Sequence, residues 1–250
     1  DLTTAYLDRV AADGARHVEV FFDPQSHVTR GVPFADVVAG IADGLRDGEK
    51  EHGISWRLIM CFLRDRPVAE AMEMLDLALD HRDVITGVGL DSAELGHPPA
   101  DFAEVYERAR AAGLVAVAHA GEEGPPEYIA EALEVLGARR IDHGVAAVGD
   151  PALQQLLAAR GIALTMCPLS NRALQVTPDL SRHPLKQLLD AGVLVTINSD
   201  DPAYFGGYLN ANLRAVQDAF HFDTPTWYRL ARNSFEASFA TDAEKAGWIA

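Results

Sequence analysis

The run Leu114-Val115-Ala116-Val117-Ala118-His119-Ala120-Gly121-Glu122 is apolar for the length of a short strand and then changes to an imidazole, a glycine and a carboxylate. A run this short and this apolar suits a strand buried on both faces. Gly121 lets the backbone turn at once, so His119 and Glu122 are expected together at the strand's carboxyl end. The pattern recurs in Arg140-Ile141-Asp142-His143-Gly144, in Cys167-Pro168-Leu169-Ser170-Asn171 after an apolar run to Met166, and in Asn198-Ser199-Asp200-Asp201-Pro202 after Val193–Ile197. Reactive groups gathered where several strands end are the mark of a parallel α/β enzyme, because those ends converge on one rim.

Outward from these clusters, Val-, Ile- and Leu-rich stretches alternate with longer stretches of helical period, the pattern of repeated βα units. Seven strands are predicted: 17–22, 56–62, 85–90, 114–119, 140–143, 162–166 and 193–198. Helices are predicted between them at 34–52, 68–81, 100–112, 126–136, 151–160 and 184–191. Prolines at several starts suit a first helical turn, and glycines such as Gly53 and Gly161 suit the stop. Three more helical stretches begin near Asn210, Pro225 and Asp242. Seven strands is one short of the eight that close a (β/α)8 barrel. The opening helix, 2–12, would follow an earlier strand, so the chain is expected to begin inside its fold.

A chain of 250 residues, 48% hydrophobic, can bury one large core, and no linker or low-complexity tract divides it. The expectation is a single domain over 1–250. A formal charge of -16 would repel a phosphate backbone, which excludes nucleic acid as an expected partner. Cys61 and Cys167 are far apart and form no C-x-x-C pair, which argues against a disulfide framework or a cysteine zinc site and fits a reducing cytoplasm. No apolar run approaches the ~20 residues of a membrane span.

Each cluster taken alone has a plain alternative. His119-x-x-Glu122 fits a metal ligand with a proton-handling carboxylate, and equally a buried histidine with an acid at a helix start. Asp200 and Asp201 repel unless a cation lies nearby, yet either suits an ordinary turn before Pro202. His143 can orient a water or pair with its neighbour Asp142. Cys167 is read as a small buried residue and not as a nucleophile.

Together and in order, Val117–Glu122, Arg140–Gly144, Cys167–Asn171 and Asn198–Pro202 resemble the adenosine, adenine and AMP deaminase superfamily of zinc-dependent (β/α)8 TIM-type barrels, metal-dependent hydrolases. The resemblance implies that His119 and Asp200 bind Zn2+, that Glu122 protonates the purine ring, that His143 steers the attacking water, and that Asp201 holds the ring at N7 as a neutral acid. Phe22-Asp23-Pro24-Gln25-Ser26-His27 and Gly89-Leu90-Asp91-Ser92-Ala93-Glu94 look like the adenine deaminase branch. On that likeness Asp91 and Glu94 become candidate substrate contacts. Glu94 stands where the nucleoside branch carries glycine, and a carboxylate there accepts the N9 hydrogen of free adenine and obstructs a ribose. An exposed loop glutamate is its plain alternative.

The chain departs from the family in one respect: it contains no H-x-H pair, which the family's first strand supplies as two further zinc ligands. The expectation is therefore a deaminase barrel lacking its first strand and N-terminal βα portion. Its implied reaction is hydrolysis of adenine to hypoxanthine and ammonia in purine salvage, with water and a small purine as partners and an oligomer possible. Adenosine or N6-substituted adenine are the neighbouring substrates. A metal-free, inactive barrel fragment that only binds a purine or a partner is the alternative of another class.

Overall fold

A computed structural model describes residues 1–249 and contains eight strands in two four-stranded sheets. The chain divides into two compact units, residues 1–118 with 131–138, and residues 119–130 with 139–250.

In the first unit β1 (His17–Phe22), β2 (Ser55–Leu63), β3 (Ile85–Asp91) and β4 (Val115–Ala116) lie in that order, all neighbours parallel. Leu58 to Phe62 of β2 are wholly buried, as expected of a parallel strand covered on both faces. Gln25, also buried, accepts the backbone N–H of Leu63 through Oε1 at 2.8 Å and donates to Glu70 at 3.2 Å, so one amide serves the end of the central strand and the following helix. The helices Leu2–Ala12 and Phe34–His52 approach closely because the second is glycine at two facing positions. A Cβ added at Gly44 would stand 2.7 Å from Thr3 Cβ, and one at Gly48 would stand 2.2 Å from Leu7 Cδ1.

The second unit carries β5 (Ala118–Ala120), β6 (Arg140–His143), β7 (Ala163–Met166) and β8 (Leu194–Ile197) in that order. Strands β6, β7 and β8 pair in parallel, with Ile141 beside Leu164 and Leu164 beside Val195. Asp150 caps the helix Pro151–Arg160, its Oδ1 accepting the N–H groups of Ala152 and Leu153 at 2.9 and 3.0 Å. Asn233, in the helix Thr224–Glu236, donates to the Val195 carbonyl at 2.8 Å and ties that helix to β8.

The strand count differs from the seven expected, because the run 114–119 forms two strands. Val115 and Ala116 pair with β3, whereas Ala118–Ala120 belongs to the sheet of β6. The change of neighbour at Val117 ends one ladder and begins the other. Three short helices were also not foreseen, Pro24–Val28, Pro168–Ala173 and Pro202–Phe205. Each starts on a proline in the loop that follows a strand, where the ring presets φ for a first turn. In so few residues no apolar period can develop.

Gly48→Val is expected to lower unfolding stability by about 1–3 kcal/mol, the cost of forcing extra methyl groups into a filled contact. Urea unfolding measures it; an unchanged midpoint would mean that the helix Leu2–Ala12 shifts freely to make room.

Candidate active site

Within the second unit the ends of β5, β6, β7 and β8 deliver His119, His143, Cys167 and Asp200. The turns are tight. Gly144, at φ 81°, donates its N–H to the Ala120 carbonyl at 3.2 Å, and a Cβ there would stand 2.6 Å from Leu164. His143 and Asp200 themselves hold positive φ, 137° and 55°. Such conformations cost a non-glycine residue on the order of 1–3 kcal/mol and cluster at functional sites.

His143 is the centre. Its side chain is 2% exposed, its Nδ1 lies 3.4 Å from Glu122 Oε1, and its Nε2 lies 3.8 Å from Asp200 Oδ2. The His119 ring faces it at 4.7 Å between centroids, tilted 50°. His143 therefore turns to Glu122 and Asp200, not to its chain neighbour Asp142. Asp142 instead opposes His119 Nδ1 at 3.7 Å, accepts the Thr165 hydroxyl at 2.6 Å and lies 3.4 Å from Arg140 Nε. The Arg140 guanidinium in turn sits over the Phe239 ring at 4.7 Å. A carboxylate behind one ring nitrogen is the usual arrangement for an imidazole whose other nitrogen meets a metal.

His143, Cys167 and Asp200 each offer one donor atom within 4.8 Å of the others. This trio contains Asp200 but not His119, which adjoins it through its ring contact with His143. Burial, then the carboxylates of Asp200, Glu122 and Asp142, push the Cys167 thiol well above its ordinary range. A thiol held protonated is a poor nucleophile, in accord with the sequence reading. Asp201 follows at the start of the helix Pro202–Phe205 and is exposed, so burial does not hold it neutral.

Two residues without an assigned role in the sequence reading also enter. Asn171 Nδ2 donates to Glu122 Oε1 at 2.9 Å, and its Oδ1 meets His183 Nε2 at 3.0 Å. Asn171 closes the strand-end cluster Cys167–Asn171. His183 had no spacing signal, since it precedes Pro184 in a polar loop. Burial, and then the nearby His143, lower the His183 pKa to about 4.

Asp91 and Glu94 belong to the first unit. Asp91 ends β3, and its carboxylate lies within 4.8 Å of Asp23 and Cys61 donor atoms. Glu94 is buried, 3.9 Å from Arg64 Nη1, and Arg64 Nε donates to the His97 carbonyl at 2.9 Å. The exposed-loop alternative for Glu94 is thereby overturned: the intervening Ser92, at φ 70°, belongs to a turn after which Glu94 lies beside a buried cation.

Residues 1–249 match the adenosine deaminase family. The chain belongs to that family. As a member of the adenosine deaminase family it is 55% identical, along its whole length, to an adenine deaminase of Cupriavidus metallidurans, covering 71% of that protein. It is 56% identical to an adenine deaminase of Sphingopyxis alaskensis, covering 73% of it. A solved adenine deaminase from Arthrobacter aurescens superposes with a TM-score of 0.97 at 48% identity, over 100% of this chain and 76% of that one. An amidohydrolase from Burkholderia ambifaria, solved with bound Zn, superposes with a TM-score of 0.93 at 32% identity, over 98% and 69%. The fold class is accordingly the expected one, α/β with parallel strands of the (β/α) barrel type. Among the described residues no helix is long and apolar enough to cross a membrane.

The family's metal can be tested against the residues present. His119 and Asp200 are an imidazole and a carboxylate, donors of the kind zinc takes, and Asp142 stands behind the first. They fit as part of a ligand set.

Because the folded state holds His183 near 4 against 6.5 for a free histidine, an unfolded chain binds this proton first as pH falls. The stability tied to neutral His183 is full above pH 6.5 and is lost progressively toward pH 4, up to roughly 3 kcal/mol. Urea midpoints at pH 7 and 4.5 should fall more steeply for the native chain than for His183→Gln. Equal slopes would remove His183 from the pH dependence.

Proposed function

We propose that this chain is an adenine deaminase that hydrolyses adenine to hypoxanthine and ammonia with zinc as its metal, as one barrel domain acting on a small purine in the cytoplasm. The observation that supports the reading most is the buried His143, within 3.4 Å of Glu122 and 3.8 Å of Asp200 and facing His119, in a chain of this family. These are a proton carrier, a charge-stabilising imidazole and two metal donors in one unit.

In this reading His119 and Asp200 hold zinc, which when bound supplies an activated water by lowering its pKa toward about 7. The chain's own groups do the rest. His143, fixed between two acids, orients the water toward C6 and stabilises charge as it adds. Glu122 gives a proton to ring N1 as the C6–O bond forms. The C6–N bond then breaks: one proton of the added water departs with ammonia, the other restores Glu122, and the C6 oxygen remains as the carbonyl of hypoxanthine. Asp201 donates to N7 as the neutral acid, its O–H directed at that ring acceptor. In the first unit Glu94, 3.9 Å from Arg64 Nη1, serves as the acceptor for the N9 hydrogen of a free base, with Asp91 as a further purine contact.

The zinc-supplemented chain incubated with adenine should release hypoxanthine and ammonia in equal amounts. Adenine binding without turnover would instead favour the inert-barrel reading, and faster release from adenosine or an N6-substituted adenine would move the substrate. Glu122→Gln should retain adenine binding while reducing turnover by about 100- to 10,000-fold, the scale of a lost proton-transfer group. Near-native turnover would remove Glu122 from the mechanism. Glu94→Gly should raise the ratio of adenosine to adenine turnover; an unchanged ratio would mean that Glu94 does not select the base.

A further inference from the structure

Glu122 has two carboxyl oxygens, and a general acid works only if its proton sits on the one that faces the acceptor. We propose that Asn171 and His183 are positioning residues that reserve Glu122 Oε1 as a hydrogen-bond acceptor and so confine the transferable proton to Oε2. The proposal rests on the reading of Glu122 as the proton donor and adds to it the source of its orientation.

The argument starts from a group that has no choice. The backbone N–H of Leu185 can only donate, and it points at His183 Nδ1 at 3.2 Å. Nδ1 must therefore be the bare nitrogen, which leaves the ring hydrogen of a neutral histidine on Nε2. Nε2 lies 3.0 Å from Asn171 Oδ1 and donates to it. With its oxygen taken, the Asn171 amide has one orientation, and its Nδ2 donates to Glu122 Oε1 at 2.9 Å. An oxygen receiving that N–H is disfavoured as the site of a proton, because a hydroxyl oxygen of a carboxyl group accepts a hydrogen bond more weakly than its carbonyl oxygen does. Direction thus passes from a peptide group through an imidazole and an amide to a carboxyl.

Burial protects the sequence of bonds. Asn171 is fully buried and His183 is 3% exposed, so bulk water offers no alternative partner that would flip either group. The helix Pro168–Ala173 holds Asn171 by its backbone, with its N–H on the Cys167 carbonyl at 2.9 Å and its carbonyl accepting from Thr177 at 3.0 Å. Protonation of His183 would set a second N–H against that of Leu185, and the low pKa of this ring agrees with its remaining neutral.

Two measurements test the proposal. The first needs no catalysis: a 1H–15N correlation of histidine side chains in the 15N-labelled chain should show His183 as the Nε2–H tautomer, unchanged from pH 8 to pH 6. Glu122→Ala should shift the Asn171 side-chain amide signals and leave that tautomer in place. An Nδ1–H tautomer, a doubly protonated ring at pH 6, or Asn171 signals indifferent to Glu122→Ala would overturn the relay.

The second is kinetic, on the zinc-supplemented chain with adenine. His183→Leu and Asn171→Ala should lower kcat on the order of 10- to 100-fold, the usual effect of removing an orienting partner. KM should stay within about twofold, since neither residue touches the purine in this reading. His183→Gln, whose amide can donate to Asn171, should recover most of the loss. His183→Asn, too short to reach, should not. Full activity in His183→Leu, or equal loss in the Gln and Asn variants at equal urea midpoints, would refute the positioning role. If no variant nor the native chain forms hypoxanthine, the proposed activity fails instead, and the tautomer experiment alone decides the relay.

Discussion

The second unit is organised around one buried imidazole held between acids. His143 is nearly inaccessible, yet Glu122 and Asp200 both stand close to its two nitrogens. Negative groups drawn together in a poorly solvated place repel, and the imidazole standing between Glu122 and Asp200 keeps the two carboxylates apart. The geometry is not obtained from a relaxed backbone. His143 takes φ 137° and Asp200 φ 55°, conformations that persist only where surrounding contacts over-determine them. Those contacts are visible: Gly144 bonded to Ala120, Ala146 bonded to Gly121, and Leu164 filling the space beside Gly144.

Around this centre each charge has a local answer. Asp142 is neutralised by Arg140 and bonded to Thr165, and Arg140 is itself backed by the face of Phe239. Cys167 answers by staying protonated, and His183 by staying neutral. In the first unit the buried Glu94 lies by Arg64, whose Nε is satisfied by the His97 carbonyl. Buried ionisable groups are tolerated when paired or hydrogen-bonded, and these are.

Much of this was legible in the residues, for reasons that can be named. Strands buried on both faces leave largely apolar runs, so β2, β7 and β8 are visible in the sequence, and the polar residues that follow β7 and β8 mark the rim. The long helices 34–52 and 151–160 were found to the residue, because each is bounded by a proline and a glycine whose conformational preferences are strong. What escaped was what depends on partners distant in the chain. The division of 114–119 at Val117 follows from which strand lies alongside, a fact carried by no local pattern. The turning of His143 away from Asp142 follows from alternation along β6, which sends neighbours to opposite sides. The part played by His183 is a matter of one peptide hydrogen two residues on, and its spacing resembles no motif.

The prolines that open the short helices after β7 and β8 have a further consequence. Pro168 and Pro202 stand at the first positions of Pro168–Ala173 and Pro202–Phe205, next to Cys167 and Asp201. A pyrrolidine ring locks its own φ and restricts the residue before it, so under the proposed function these loops have little freedom left to surrender when a flat heterocycle docks. The entropy of arranging them is lost during folding, once, and does not recur with every molecule processed.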